Sequence, residues 1–227
     1  MKKLLMILVF ALCSMISFGQ TPSYDTIQYA KEYHQKRLTL FKSEPIIKSK
    51  VIFLGNSITQ FGNWKTLCSD STIINRGIAG DNTFGVLARL DDVITRQPSK
   101  LFLKIGINDI SQNIPVKIIS QNIFEIIKRI KAKSPTTKIY VHSILPTNDQ
   151  VKEYYPDAFN KDDRVTLVNA QLRRNAKIKK YTYVDLHKVL KDKYGKLDYK
   201  YAQSDGLHLN KTGYEKWIKI LKGKGYL

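Results

Sequence analysis

The sequence predicts an α/β fold, a parallel sheet covered by helices on both faces. Three observations predict it. Short apolar runs recur along the 227 residues, segments of helical periodicity separate them, and no repeat, low-complexity tract or interior linker breaks the alternation. Hydrophobic residues make up 43% of the chain and aromatics 11%, enough for a packed core.

The first segment reads as an export signal, not as part of that fold. Lys2 and Lys3 precede an almost wholly apolar run from Leu4 to Ile16, and Ser17-Phe18-Gly19 supplies small residues where a signal peptidase reads. The run is short for a membrane span. A signal peptide is expected over 1–19, followed by one domain over 20–227 in the periplasm or outside the cell. A lipid anchor on Cys13 is disfavoured, because bulky Leu12 stands where a small residue is needed.

Residues 25–43, with Ile27, Ala30, Tyr33 and Leu38, read as an amphipathic helix. Val51-Ile52-Phe53-Leu54 is a buried strand ending in Gly55, and Thr72-Ile73-Ile74-Asn75 a second, weaker one. Val86, Leu87, Leu90 and Ile94 are spaced for a helix over 84–94. Leu101 to Ile105 forms a third strand. Residues 116–131 place Ile119, Ile123, Ile126 and Ile130 on one helical face, with Pro115 at the start and Ser134-Pro135 at the stop. Lys138 to His142 is a fourth strand, and residues 144–160, with Pro146 and Pro156, a long loop. Val165, Val168, Leu172 and Ala176 form a further helical stripe, and Thr182-Tyr183-Val184 a fifth strand. Thr212 and Glu215 match a capping box for a last helix faced by Tyr214, Trp217, Ile218 and Leu221 and closed by Gly223.

Ligands of open α/β sheets bind beyond the carboxyl ends of the strands, and there the polar motifs fall. The first strand runs into Gly55-Asn56-Ser57, the second into Asn75-Arg76-Gly77-Ile78-Ala79-Gly80-Asp81, and the third into Gly106-Ile107-Asn108-Asp109. Asp205 and His208 precede the last helix, three residues apart. These types suit acyl transfer. A serine hydroxyl attacks only when a base takes its proton; His208 can be that base, with Asp205 holding its tautomer. The backbone N–H groups of Ser57 and Gly80 and the side-chain amide of Asn108 are candidate oxyanion donors.

Together these blocks resemble the SGNH (GDSL-type) hydrolase superfamily over essentially the whole mature chain. The serine block matches around Ser57, Asn-x-Gly-x-x-Gly-Asp at Gly80, Gly-x-Asn-Asp at Asn108, and Asp-x-x-His at Asp205 and His208. The resemblance implies a flavodoxin-like, three-layer α/β/α sandwich with a five-stranded parallel sheet. It also implies hydrolysis of carboxylic esters through an acyl-serine, without metal or organic cofactor. Residues 75–90 and Ser143-Ile144-Leu145-Pro146 resemble the branch of platelet-activating-factor acetylhydrolase subunits and bacterial sugar-ester deacetylases. One departure is Asn56, where the family usually carries Asp. Asn keeps the shape and hydrogen bonding but loses the charge.

Rival candidates are weaker. Ser57 does not sit in Gly-x-Ser-x-Gly, which disfavours the α/β-hydrolase elbow. Asp185 and His187 alternate on leaving a strand, so their side chains should diverge, and His142 and His34 read as structural. Asp81 and Asp109 are candidate caps, Asp109 also a candidate substrate contact. Arg76 would either meet an anionic substrate group or serve the structure. Tyr154, Tyr155 and Phe159 in the long loop, and Tyr199 and Tyr201 before Asp205, are candidate rim aromatics for a sugar ring or an acyl chain.

No Cys/His cluster has zinc-ligand spacing, in keeping with the metal-free chemistry the resemblance implies. Cys13 and Cys68 are the two cysteines, which excludes a disulfide-stapled scaffold; Cys68 reads as a structural thiol. The net charge of +19 is uneven: residues 51–110 carry six basic against five acidic side chains, residues 164–227 sixteen against five. The excess avoids the three motif blocks of residues 51–110, and no zinc-finger, RNP-type or helix-turn-helix pattern accompanies it, which argues against nucleic acid. An anionic glycan or membrane surface is the charge-matched partner. The expected activity is a secreted serine esterase for short acyl, chiefly acetyl, groups on carbohydrate. A lipid-directed acylhydrolase is the alternative, and a non-catalytic glycan-binding module a further one.

Overall fold

The computed structural model describes residues 30–227. The expected signal peptide over 1–19, and the start of the first expected helix, lie outside the described residues. Five strands form one all-parallel sheet: β1 (Val51–Gly55), β2 (Ile74–Gly77), β3 (Lys100–Lys104), β4 (Lys138–His142) and β5 (Thr182–Val184). Their order is β2-β1-β3-β4-β5, with Phe53 opposite Phe102, Leu103 opposite Val141 and Val141 opposite Tyr183. The order reverses between β1 and β3, where the connections leaving the paired strand ends run to opposite sides and leave a crevice.

Helices cover both faces. In chain order they are α1 (Lys31–Ser43), α2 (Ser57–Gln60), α3 (Trp64–Cys68), α4 (Thr83–Ala88), α5 (Leu90–Thr95), α6 (Ile107–Ser111), α7 (Val116–Lys133), α8 (Val151–Tyr154), α9 (Asp162–Asn175), α10 (Leu186–Leu190) and α11 (Lys211–Gly223). Side chains alternate across a strand. Phe53, Phe102 and Tyr140 therefore share one face, where Phe53 stacks on Phe102 at 4.7 Å and on Trp64 of α3 at 4.0 Å. Trp217 of α11 closes over them edge-on. Leu101, Leu103, Ile139 and Val141 turn the other way and join the core to which the Ile119–Ile130 stripe of α7 belongs.

Several expected boundaries move for identifiable reasons. β2 begins two residues late, because Asp70 holds Thr72 in a turn through its N–H and hydroxyl. The helix expected over 84–94 is two helices, broken at Arg89 (φ −114°, ψ 15°). α11 is capped by Asn210, whose side chain accepts the Gly213 N–H, and not by Thr212; beyond it the left-handed residue is Gly225. The long loop over 144–160 contains α8 and one 3-10 turn (Pro156–Ala158).

Candidate active site

The turn into Ser57 is built on close approach. A Cβ at Gly55 would stand 2.0 Å from the Lys104 carbonyl oxygen, so only glycine lets β1 leave the sheet here. Asn56 then caps α2, its side-chain oxygen accepting the Ile58 N–H at 3.2 Å. This is hydrogen-bonding work that a neutral amide does as well as a carboxylate. Ser57, 7% exposed, opens α2. Further bonds fix the short helix: Trp64 Nε1 donates to the Thr59 carbonyl, Tyr214 Oη to the Ile58 carbonyl, and the Ala79 N–H to Gln60 Oε1.

The Ser57 hydroxyl lies 2.8 Å from His208 Nε2, and His208 Nδ1 lies 2.5 Å from Asp205 Oδ2. The other Asp205 oxygen accepts the N–H groups of Leu207 and His208, both at 2.9 Å. Burial works against the Asp205 charge, but these amides and the imidazole outweigh it and hold the carboxyl below its usual range. The His208 ring is flanked by Phe61 (centroids 5.1 Å apart) and Tyr155 (5.6 Å).

Two further donors converge on the same cleft. Gly80 has φ +79°, a left-handed conformation that turns the backbone after β2, and Asn108 stands in α6 after β3. One hydrogen of Asn108 Nδ2 is committed to the Asp81 carbonyl at 2.7 Å. Ser57, Gly80, Asn108 and His208 all line a cleft of about 780 Å³, walled by Tyr33, Phe61, Tyr154, Tyr155 and Leu207 among others. A groove of about 860 Å³ elsewhere, between α7 and the Ile178–Lys180 turn, carries Lys128, Lys131, Lys179 and Lys180 and none of these groups.

Two candidate substrate contacts are not in the cleft. Arg76 is 1% exposed, bonded to Asp92 Oδ2 at 2.6 Å, 2.7 Å from Glu44 Oε2, and laid over the Phe41 ring; its charge is used in the structure. Asp109 is fully buried and accepts the Thr83 N–H and hydroxyl, tying α6 to α4. Burial pushes its carboxyl up to about 6. Tyr154 and Tyr155 do line the cleft, whereas Tyr201 is buried in the core and Phe159 packs against it. Asp185 caps α10 and pairs with Arg173, while the His187 N–H donates to Ser143 Oγ, so that pair is structural.

Phe61 and Tyr33, which line the cleft, were not legible as site residues. The signal for Phe61 was its place four residues after Ser57, one helical turn along the same side. Tyr33 comes from the N-terminal helix, and no local pattern links it to the serine.

Residues 53–216 match the model of the GDSL-like lipase/acylhydrolase family. The chain belongs to that family. Membership makes it a carboxylic ester hydrolase by family, and the observed strand order is the flavodoxin-like one. It is 27% identical over 187 residues to platelet-activating factor acetylhydrolase IB subunit alpha2 of Homo sapiens, covering 75% of this chain and 73% of that one. An N-acylneuraminate cytidylyltransferase of Escherichia coli O18:K1:H7 is 29% identical over 173 residues, 73% of this chain but 38% of its own length. This chain therefore spans well under half of that relative. A solved structure described as a platelet activating factor of Streptococcus pneumonia superposes with a TM-score of 0.77 at 27% identity, covering 86% of this chain and 94% of that one.

Proposed function

We propose that this hydrolase cleaves short acyl esters, chiefly O-acetyl groups on carbohydrate, through an acyl-serine intermediate. The observation that carries the reading is the unbroken line from Asp205 through His208 to Ser57, opening into the cleft that Gly80 and Asn108 also face. His208 Nε2 takes the Ser57 proton as Oγ bonds to the ester carbon. Asp205 holds Nδ1–H and stabilises the imidazolium. The carbonyl oxygen takes up the electron pair among the N–H groups of Ser57 and Gly80 and the second hydrogen of Asn108 Nδ2. His208 returns the proton to the departing sugar oxygen, leaving the acyl group on Ser57. Water, deprotonated by the same imidazole, then attacks the acyl carbon; the bond to Ser57 Oγ breaks, His208 returns the proton to Oγ, and the acid leaves.

Carbohydrate is favoured by the rim: Tyr33, Phe61, Tyr154 and Tyr155 offer flat apolar faces with polar edges to a sugar ring. The acetylhydrolase name of the relative supports a short acyl group. The same apolar walls support the second reading, a lipid-directed acylhydrolase. A panel of p-nitrophenyl esters from C2 to C12, run beside acetylated xylan, pectin and sialic acid, separates the two; rates that rise with chain length would overturn the first. The glycan-binding alternative requires a missing Ser, Asn or His, and all three are in place.

The lysine excess supports an anionic glycan partner, with the groove beside α7, lined by Lys128, Lys131, Lys179 and Lys180, as a cationic concavity for it. Turnover of an acidic polymer should fall as salt rises, while that of a neutral small ester stays level. Export follows from the Lys2–Gly19 pattern; an N-terminus near Gln20 in protein recovered from its own host is the expected result.

A further inference from the structure

A buried ion pair joins the turn that carries the nucleophile to the segments after β2 and β3 that carry the other oxyanion donors. Arg89 Nε donates to Asp81 Oδ2 at 2.8 Å, and Nη2 of the same guanidinium donates to the Gly55 carbonyl at 3.0 Å. That carbonyl, two residues before Ser57, also accepts the Ile78 N–H at 3.0 Å. The Asp81 backbone is engaged too: its carbonyl accepts Asn108 Nδ2 at 2.7 Å, and its neighbour is Gly80. His34 Nε2 lies 3.5 Å from the other Asp81 oxygen. Asp81 is fully buried and Arg89 is 6% exposed.

The fold makes room for this bridge. The helical run after Asn82 is interrupted at Arg89, the residue that makes it. Burying two charges is seldom the most stabilising use of the volume, since desolvation offsets their attraction. A planar fork does what an apolar pair cannot, fixing a carboxylate and a carbonyl in one geometry.

We propose that the Asp81–Arg89 pair is the positioning device of the oxyanion hole, setting the Ser57 and Gly80 N–H groups and the Asn108 amide against one another. The pair touches no reacting atom; it acts through those three donors. The proposal rests on the reading of Ser57 as nucleophile, and the test separates the two.

The full chain is assayed on p-nitrophenyl acetate, with thermal unfolding of each variant in parallel. Arg89→Met should lower kcat by about 10- to 100-fold, the cost of donors displaced by a fraction of an ångström to an ångström. KM should stay within about twofold and the shape of the pH profile should be unchanged, because His208 and Asp205 are untouched. Arg89→Lys keeps the charge without the fork and should recover part of the loss. Arg89→Met combined with Asn108→Ala should fall little below Asn108→Ala alone, since both act on the same donors. A folded Arg89→Met with kcat within about twofold of the parent, an effect on KM alone, or losses that multiply in the double variant would each overturn the proposal. If Arg89→Met does not fold, Asp81→Asn is read instead: it keeps the backbone carbonyl for Asn108, and an unchanged kcat sinks the idea. Ser57→Ala is the control. Its loss of activity with Arg89 variants unaffected rejects the positioning role alone, whereas retained activity rejects the nucleophile reading and this proposal with it.

Discussion

Gly80 stands on the loop after β2 and Asn108 in α6 after β3, yet Asp81 holds both, as the neighbour of one and the hydrogen-bond acceptor of the other. At this scale the proposed chemistry depends on single atoms. Asn108→Ala removes one of the three proposed oxyanion donors, so kcat should fall roughly 100- to 1,000-fold with little change in KM; steady-state kinetics on p-nitrophenyl acetate checks this, and a pure KM effect would place Asn108 in substrate binding. Ser57, Gly80, Asn108, Asp205 and His208 were legible because each follows a strand or precedes a capped helix in a short motif. For Arg76 the sequence left a substrate contact and a structural role open, because its partners Glu44 and Asp92 lie 32 and 16 residues away and nothing local shows that its charge is already matched.

The elements were legible wherever one periodicity ran without competition. The isoleucine stripe of α7 and the apolar runs of β1, β3 and β4 are of this kind. Boundaries moved where a side chain outbid the pattern: Asp70 delays β2, Arg89 divides a helix, and Asn210 displaces the expected cap of α11. The β1–α2 turn tests how tightly elements constrain the site. A methyl at Gly55 would collide with the Lys104 carbonyl across the β1–β3 pair. Gly55→Ala should therefore cost about 3 kcal/mol or more of stability and reduce activity, measured by urea unfolding alongside kinetics. A near-neutral change would mean that β1 has room the register does not show.

Across the whole molecule the positive charge divides into two populations. Most lysines are solvated, but Lys104 is 2% exposed, beside the buried His142, and burial brings its ammonium down to about 7. In the unfolded chain the same group holds its proton to about 10.5. Between those values the unfolded state binds more protons, so this residue makes stability rise with pH from about 7 upward, and its full burial cost applies below about 7. Lys104→Met should therefore raise stability at pH 6 by a few kcal/mol, with the gain over the parent shrinking by pH 9. Urea unfolding at both pH values measures it, and a difference independent of pH would show that Lys104 keeps its charge in the fold. None of this was visible in the +19 total, which cannot tell a buried amine from a solvated one.

The proposed chemistry turns on acylation of the Ser57 Oγ. The most direct measurement is covalent labelling with an aryl fluorophosphonate, followed by intact-mass and peptide mass spectrometry. One adduct is predicted, on the peptide containing Ser57, absent in Ser57→Ala and much slower to form in His208→Ala. Labelling of another residue, or an unlabelled protein that still hydrolyses p-nitrophenyl acetate at the parent rate, would contradict it.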